Sequence, residues 1–175
     1  QYLYFAFDCV DKDLVSPEID RDEAVYADDC VEMFICPDLR FRTYWELVVG
    51  PSGSLFDALH CKHVHKWGSA SDVPASMEGL KYKITLKGTL NQSDDEDTGY
   101  TVELAVPFDQ LPGFTRVQPA AGQSLRLVLI RLDRNHTGEV DKEGKPKSTH
   151  KAYAFIPLLS WGHNIWNHAR ITLAE

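Results

Sequence analysis

Apolar residues recur with a period of two along most of this 175-residue chain. Turn-forming residues break the alternating runs at short intervals, and no long amphipathic helix is written into the sequence. These three observations predict an all-β protein. The expected architecture is one antiparallel β-sandwich, immunoglobulin- or jelly-roll-like, over residues 1–175, with some eight or nine strands and one short helical turn.

The elements follow in chain order. LYFAF, VEMFIC and YWELVV are the first three predicted strands, with Pro51 and Gly53 closing the turn after the third. In LKYKITLK, Leu80, Tyr82, Ile84 and Leu86 face one way and Lys81, Lys83, Thr85 and Lys87 the other, the pattern of a strand with one wet face. NQSDDEDTG is a turn, and GYTVELAVP alternates Val102, Leu104 and Val106 with Thr101, Glu103 and Ala105. Pro107 to Gly113 reads as the short helical turn. LRLVLIRLD is apolar on both faces through Val128 and Ile130, which predicts a central strand. Residues 137–149, TGEVDKEGKPKST, are polar and carry Gly and Pro, so a mobile loop is expected there. AYAFIP and ARITLA complete the set.

Composition bounds the function. Hydrophobic residues make up 43% and charged residues 25%, which fits a globular domain. A net charge of −8 disfavours nucleic acid and anionic membrane surfaces, which need a basic footprint, and suits neutral or cationic ligands. No apolar run reaches the roughly 18 residues of a membrane span, so no insertion is expected. The chain opens directly in QYLYFAF without a methionine, so an N-terminal segment is expected to precede it. The cysteines Cys9, Cys30, Cys36 and Cys61 are expected to be free buried thiols. Cys30 and Cys36 share a strand face about 20 Å apart, too far to bond each other.

Glu32 is the residue that asks for an explanation. Parity puts it on one face with Cys30, Phe34 and Cys36, opposite Val31, Met33 and Ile35. A carboxylate among apolar neighbours must be paired or hydrogen-bonded. It is either a structural partner of an arginine such as Arg131 or an acceptor facing a polar ligand. Sugars suit the second reading, because their hydroxyls need charged or amide partners and their C–H faces need aromatic platforms. Tyr26, Trp45, Trp67, Trp161 and Trp166 lie near strand ends and supply candidates.

The run Tyr26-Ala-Asp-Asp-Cys-Val-Glu-Met-Phe-Ile resembles a segment of family 9 carbohydrate-binding modules, in which an aromatic and an aspartate precede Val-Glu and a hydrophobic pair. LYFAFDCVDKDL, YWELVVGPSGSLFD, GYTVELAVPFDQL, LRLVLIRLD and SWGHNIWNHARITL resemble further segments of that family, in the same order. The resemblance implies an antiparallel sandwich that binds β-glycan chain ends (xylan or cellulose) or small sugars. It further implies a secreted, extracellular or periplasmic accessory domain of a polysaccharide-degrading enzyme, not itself catalytic. By position, Tyr26 and Trp161 are the implied aromatic walls, with Trp166 the alternative to Trp161. Glu32 is the acceptor between them, and Asp29 fixes the loop or a cation. Arg131 joins this set as the cation available to Glu32. Glu46 stands where the family pattern leads one to expect a base, and Leu158 or a neighbour where it leads one to expect an amide.

The resemblance also implies structural calcium, for which Asp8, Asp11 and Asp13 are the candidate ligands, ahead of the acidic run Asp94, Asp95, Glu96 and Asp97. HCKHVHK, residues 60–66, puts His63 and His65 on one strand face near His60 and Cys61, but no second ligand cluster has a recognised zinc spacing. Two other classes are weighed. A glycoside hydrolase would act through Asp29, Glu32 or Glu103 as a spaced carboxylate pair. A haem-binding domain of the same sandwich class would use Met33 with a histidine or lysine.

Overall fold

The structure is a computed structural model that describes residues 1–38, 43–62, 70–73, 75–114, 118–144, 146–158 and 161–174. It is an all-β sandwich of two antiparallel sheets. The small sheet has the order β1-β7-β6, built from Tyr2–Cys9, Gly99–Pro107 and Lys81–Lys87. The large sheet has the order β10-β8-β2-β3-β4-β5, with β9 also paired to β8. Its strands are β2 (Cys30–Asp38), β3 (Thr43–Val49), β4 (Leu55–Lys62), β5 (Ala70–Val73), β8 (Ser124–Val140), β9 (Pro146–Ala154) and β10 (Ala169–Thr172).

Alternation decides which side chains fill the sandwich. Val31, Met33 and Ile35 of β2, with Trp45, Leu47 and Val49 of β3, pack against Val102, Leu104 and Val106 of β7 between the sheets. Cys30, Phe34 and Cys36, with Tyr44, Val48, Val128 and Ile130, point the other way, to the outer face of the large sheet. That face is covered by connections, not by a third sheet: Val25, Ile156, Leu158 and Ile165 pack on it. Gly99 fixes one corner. Its φ is +130°, and a Cβ there would lie 1.9 Å from the Cys9 carbonyl oxygen, so only glycine lets β7 start against the end of β1.

Three expectations are corrected. Residues 137–140 and 146–149, expected in a mobile loop, are strand: β8 runs on to Val140 and pairs with β9 in a hairpin. This arm runs past the body of the sandwich, and residues 137–140 are exposed, so no hydrophobic alternation marks it. β9 consequently ends at Ala154, before Phe155 and Ile156. The described residues hold ten strands, because Leu55–Lys62 and Ala70–Val73 pair in the sheet without appearing in the predicted set. There are three single 3-10 turns in place of one: Val25–Ala27, Phe108–Gln110 and Ile165–Asn167. β8 is central as expected, flanked by β2 on one side and by β10 and β9 on the other. Among the described residues no disulfide forms; Cys9, Cys30 and Cys36 are buried and Cys61 half-buried.

Candidate functional site

Register brings an acidic diagonal onto the outer face of the large sheet. Glu32 opposes Val48, while Phe34 opposes Glu46 and Tyr44 opposes His60. Glu32, Glu46 and His60 are therefore diagonal neighbours on β2, β3 and β4, and all three are buried. His60 Nε2 donates to Glu46 Oε2 at 2.6 Å. Glu32 Oε2 is buried and meets no donor; its carboxyl lies against that of Glu46. The Glu32 acid is pushed up to about 9, first by burial and then by the hydrogen bond to Glu46 and that group's charge. Two carboxyls in contact at this depth hold together through a proton.

His163 completes the cluster from above. Its Nε2 lies 4.0 Å from Glu46 Oε2, and its side chain is 43% exposed. Tyr44 Oη holds His163 Nδ1 at 2.9 Å, while the buried Tyr44 ring stacks on His60 at 4.9 Å. The segment carrying His163 is pinned onto the sheet. A Cβ on Gly162 would lie 2.1 Å from Phe34 Cε2, so the backbone touches that ring. His168 Nε2 donates to the Gly162 carbonyl at 2.6 Å, and Asn167 Nδ2 to that of Pro157 at 2.8 Å.

The aromatic candidates separate. Trp161, 44% exposed, lines a shallow depression of about 600 Å³ with Ala152, Ala154, Phe155, Ile156 and Leu158. Trp166 is still more exposed, on the turn anchored by buried Ile165. Tyr26 is half-exposed and packs edge-on against Phe56. One row of the sheet links these places: Ala154, Ile130, Glu32, Val48 and Phe56 are successive cross-strand partners. Four strand steps separate Ala154 from Phe56, about 19 Å at the usual inter-strand spacing of roughly 4.8 Å. Glu32 is at the middle of that row but only 1% exposed, so His163 is the polar group of the cluster that meets solvent. Trp45 is buried between the sheets, its Nε1 donating to the Gln110 carbonyl, and Trp67 lies outside the described residues.

Arg131 is on the other side of the sheet. It opposes Val31, not Glu32, and donates to Asp11 Oδ2 at 2.6 Å and to the Val10 carbonyl at 2.7 Å. The pairing expected between Arg131 and Glu32 is therefore replaced by one with Asp11. Asp29 is a loop fastener: its oxygens accept from the Val15 and Arg134 amides, each at 2.6 Å. Burial still pushes the Asp29 acid up to about 7, against those two hydrogen bonds. Asp28 pairs with the Arg134 guanidinium. These contacts fix the loop that presents Tyr26.

The calcium set expected from the sequence does not converge. Asp8 pairs with Lys87, and Asp13 accepts from Ser93 Oγ and the His136 amide. Asp11 instead gathers with Asp29 and Asp133, one oxygen of each within 4.8 Å of the others. Arg131 Nη2 stands in this group, 2.6 Å from Asp11 and 3.8 Å from Asp133. A guanidinium and backbone amides already serve these carboxylates, in competition with any cation. Asp97 of the later acidic run accepts from the Leu14 and Thr89 amides, which is structural.

The residues weighed for the two alternative classes lie apart. Glu103 is exposed on the small sheet, and Glu32 and Glu46 touch, leaving no room for a sugar and water between them. Met33 is fully buried in the apolar core between the sheets. His63 and His65 lie outside the described residues.

Sequence reasoning treated Glu46 as a departure from a pattern and passed over Tyr44 and His163. The signal for the first two was present: YWELVV carries Tyr44, Glu46 and Val48 on one face, so two neighbouring strands each place a glutamate on the same face.

No family model matches the sequence, and no curated protein matches it. Among solved structures, the fold is similar to that of a proposed carbohydrate-binding protein from Bacteroides uniformis. The TM-score is 0.54 at 15% identity, over 98% of this chain and 72% of that one. At that identity the likeness establishes a shared fold.

Proposed function

We propose that this domain is a non-catalytic carbohydrate-binding module. Its ligands are β-glycan chain ends or short oligosaccharides of the xylan and cellulose type. It serves as a secreted accessory domain of a polysaccharide-degrading enzyme. The observation that carries the reading is Trp161: a half-exposed tryptophan beside a shallow depression, on the sheet face that also holds Tyr26 and the Glu32–Glu46 pair. The name of the Bacteroides uniformis neighbour and the ordered resemblance of the strand motifs support the same reading.

Aromatic faces bury the C–H surface of a sugar ring, and polar groups at the rim bind its hydroxyls. Here Trp161 and Tyr26 are the platforms, and His163, aligned by Tyr44, is the polar group within a ligand's reach. The wide spacing of the platforms favours an oligosaccharide that touches both over a single ring clamped between them. Glu32 acts from below, holding Glu46 and the histidines in place. An open, shallow site with few charged donors gives modest affinity, about 10 μM to 1 mM, or roughly −7 to −4 kcal/mol. Calorimetric titration with glucose, xylose, cellobiose, xylobiose and their longer oligomers tests the proposal. Saturable binding that strengthens with chain length supports it, and no binding of any member at millimolar concentration refutes it.

A further inference from the structure

We infer that Glu46, His60 and His163, with Glu32 backing the Glu46 carboxyl, form a binding site for a divalent transition-metal ion of the zinc type. One donor atom from each of the first three lies within 4.8 Å of the others. They come from two adjacent strands and the segment folded over them, so the cluster is built by tertiary structure and has no sequence spacing to reveal it.

The independent observation is Glu32. Its Oε2 is buried, 1% of the residue is exposed, and no donor reaches that oxygen. It faces another carboxyl, that of Glu46. Such a contact holds only with a proton or a cation between the two groups. The donors gathered here, one carboxylate and two imidazoles, are those of a zinc site with its fourth position open, and not of calcium, which takes oxygens alone. Two carboxylates also balance the charge of one divalent ion.

The geometry is close to what such an ion requires. Bonds of about 2.0–2.2 Å in a tetrahedron set neighbouring ligand atoms roughly 3.3–3.6 Å apart. The separations are 2.6 Å between His60 and Glu46 and 4.0 Å between His163 and Glu46, which bracket that value. Side-chain rotations that shift the ligand atoms by up to about 1 Å would equalise them. Tyr44 Oη holds His163 Nδ1, which leaves Nε2 pointing at Glu46, the arrangement by which a partner orients a ligating imidazole. His163 is also the entry path, since it alone of the four is substantially exposed. On binding, the proton shared by the carboxyls goes to solvent, the His60 proton passes from Nε2 to Nδ1, and the ion takes the place of both between the ligand atoms.

The test is calorimetric titration of zinc chloride into EDTA-stripped, desalted protein at pH 7.5. One ion binds per chain, and the melting temperature rises with zinc. His163→Ala and Glu46→Gln, each first shown by thermal unfolding to be folded, weaken binding at least about 100-fold. Absence of one-to-one binding overturns the proposal. So does unchanged affinity in His163→Ala, which would place the ion elsewhere. Cellobiose and xylobiose titrated into the same stripped protein separate this result from the carbohydrate reading. Sugar binding without zinc binding refutes the metal site alone, and zinc binding without sugar binding refutes only the module.

Discussion

The Glu32 carboxyl meets that of Glu46 across β2 and β3, one diagonal step off the directly opposed register, and Glu32 Oε2 has no donor. Each carboxyl sits on a strand whose other face fills the sandwich core, so neither can turn away without breaking the alternation that buries Met33 and Leu47. The pair is therefore held by the fold, and its charge state is set by its surroundings.

That pair predicts an unusual pH dependence. The Glu32 acid titrates near 4.5 when unfolded and is pushed up to about 9 when folded, chiefly by burial. Its contribution to stability is full below about pH 4.5 and is lost as pH rises through about 9. Glu32→Gln keeps a hydrogen bond to Glu46 without needing a proton. In metal-free denaturant unfolding, the variant is expected to gain steadily on the native protein as pH rises from about 5 to about 9, by a few kcal/mol on the order of the linkage slope. Parallel stability curves would contradict the shared proton.

Arg131 is predicted to be structural. Arg131→Met leaves Asp11 buried without its cation, and the expected loss is about 3–5 kcal/mol in chemical denaturation. Oligosaccharide affinity below the unfolding transition should not change, because Arg131 opposes Val31 on the face away from Glu32.

Gly162→Ala drives a Cβ into the Phe34 ring, 2.1 Å from Cε2. The segment bearing Trp161 and His163 must lift, at a cost of about 1–3 kcal/mol. Thermal unfolding reports the first effect. Titration reports the second, a parallel loss of oligosaccharide and zinc binding.

Calcium should be without effect. Because Asp8, Asp11 and Asp13 are committed to different partners, adding millimolar calcium to stripped protein is predicted to leave the melting temperature unchanged. A concentration-dependent rise would show that Asp11, Asp29 and Asp133 take the ion in spite of Arg131.

The fold was legible because period-two burial is a local property. Val31, Met33 and Ile35 alternate with Cys30, Glu32 and Phe34 in the sequence just as they do in the sheet. The exposed β8–β9 arm was not, because a hairpin wet on both faces carries no hydrophobic alternation. Glu32 could be singled out as a carboxylate among apolar neighbours, yet its partner could not be named. Arg131 was the partner the sequence suggested, and only the register of β2 with β3 and β8 replaces it with Glu46. His163 contacts Tyr44 across 119 residues, and no spacing along the chain announces that contact.

Titration of xylo- and cello-oligosaccharides into the native protein and Trp161→Ala, side by side, tests the central claim most directly. Trp161 is half-exposed at the rim of its depression, so its removal should not unfold the domain. The native protein is predicted to bind with Kd between about 10 μM and 1 mM, and Trp161→Ala to lose about 1–3 kcal/mol, which carries most of that range beyond detection. Equal affinity in the two proteins, or no binding in either, would contradict the assignment of this face as a carbohydrate site.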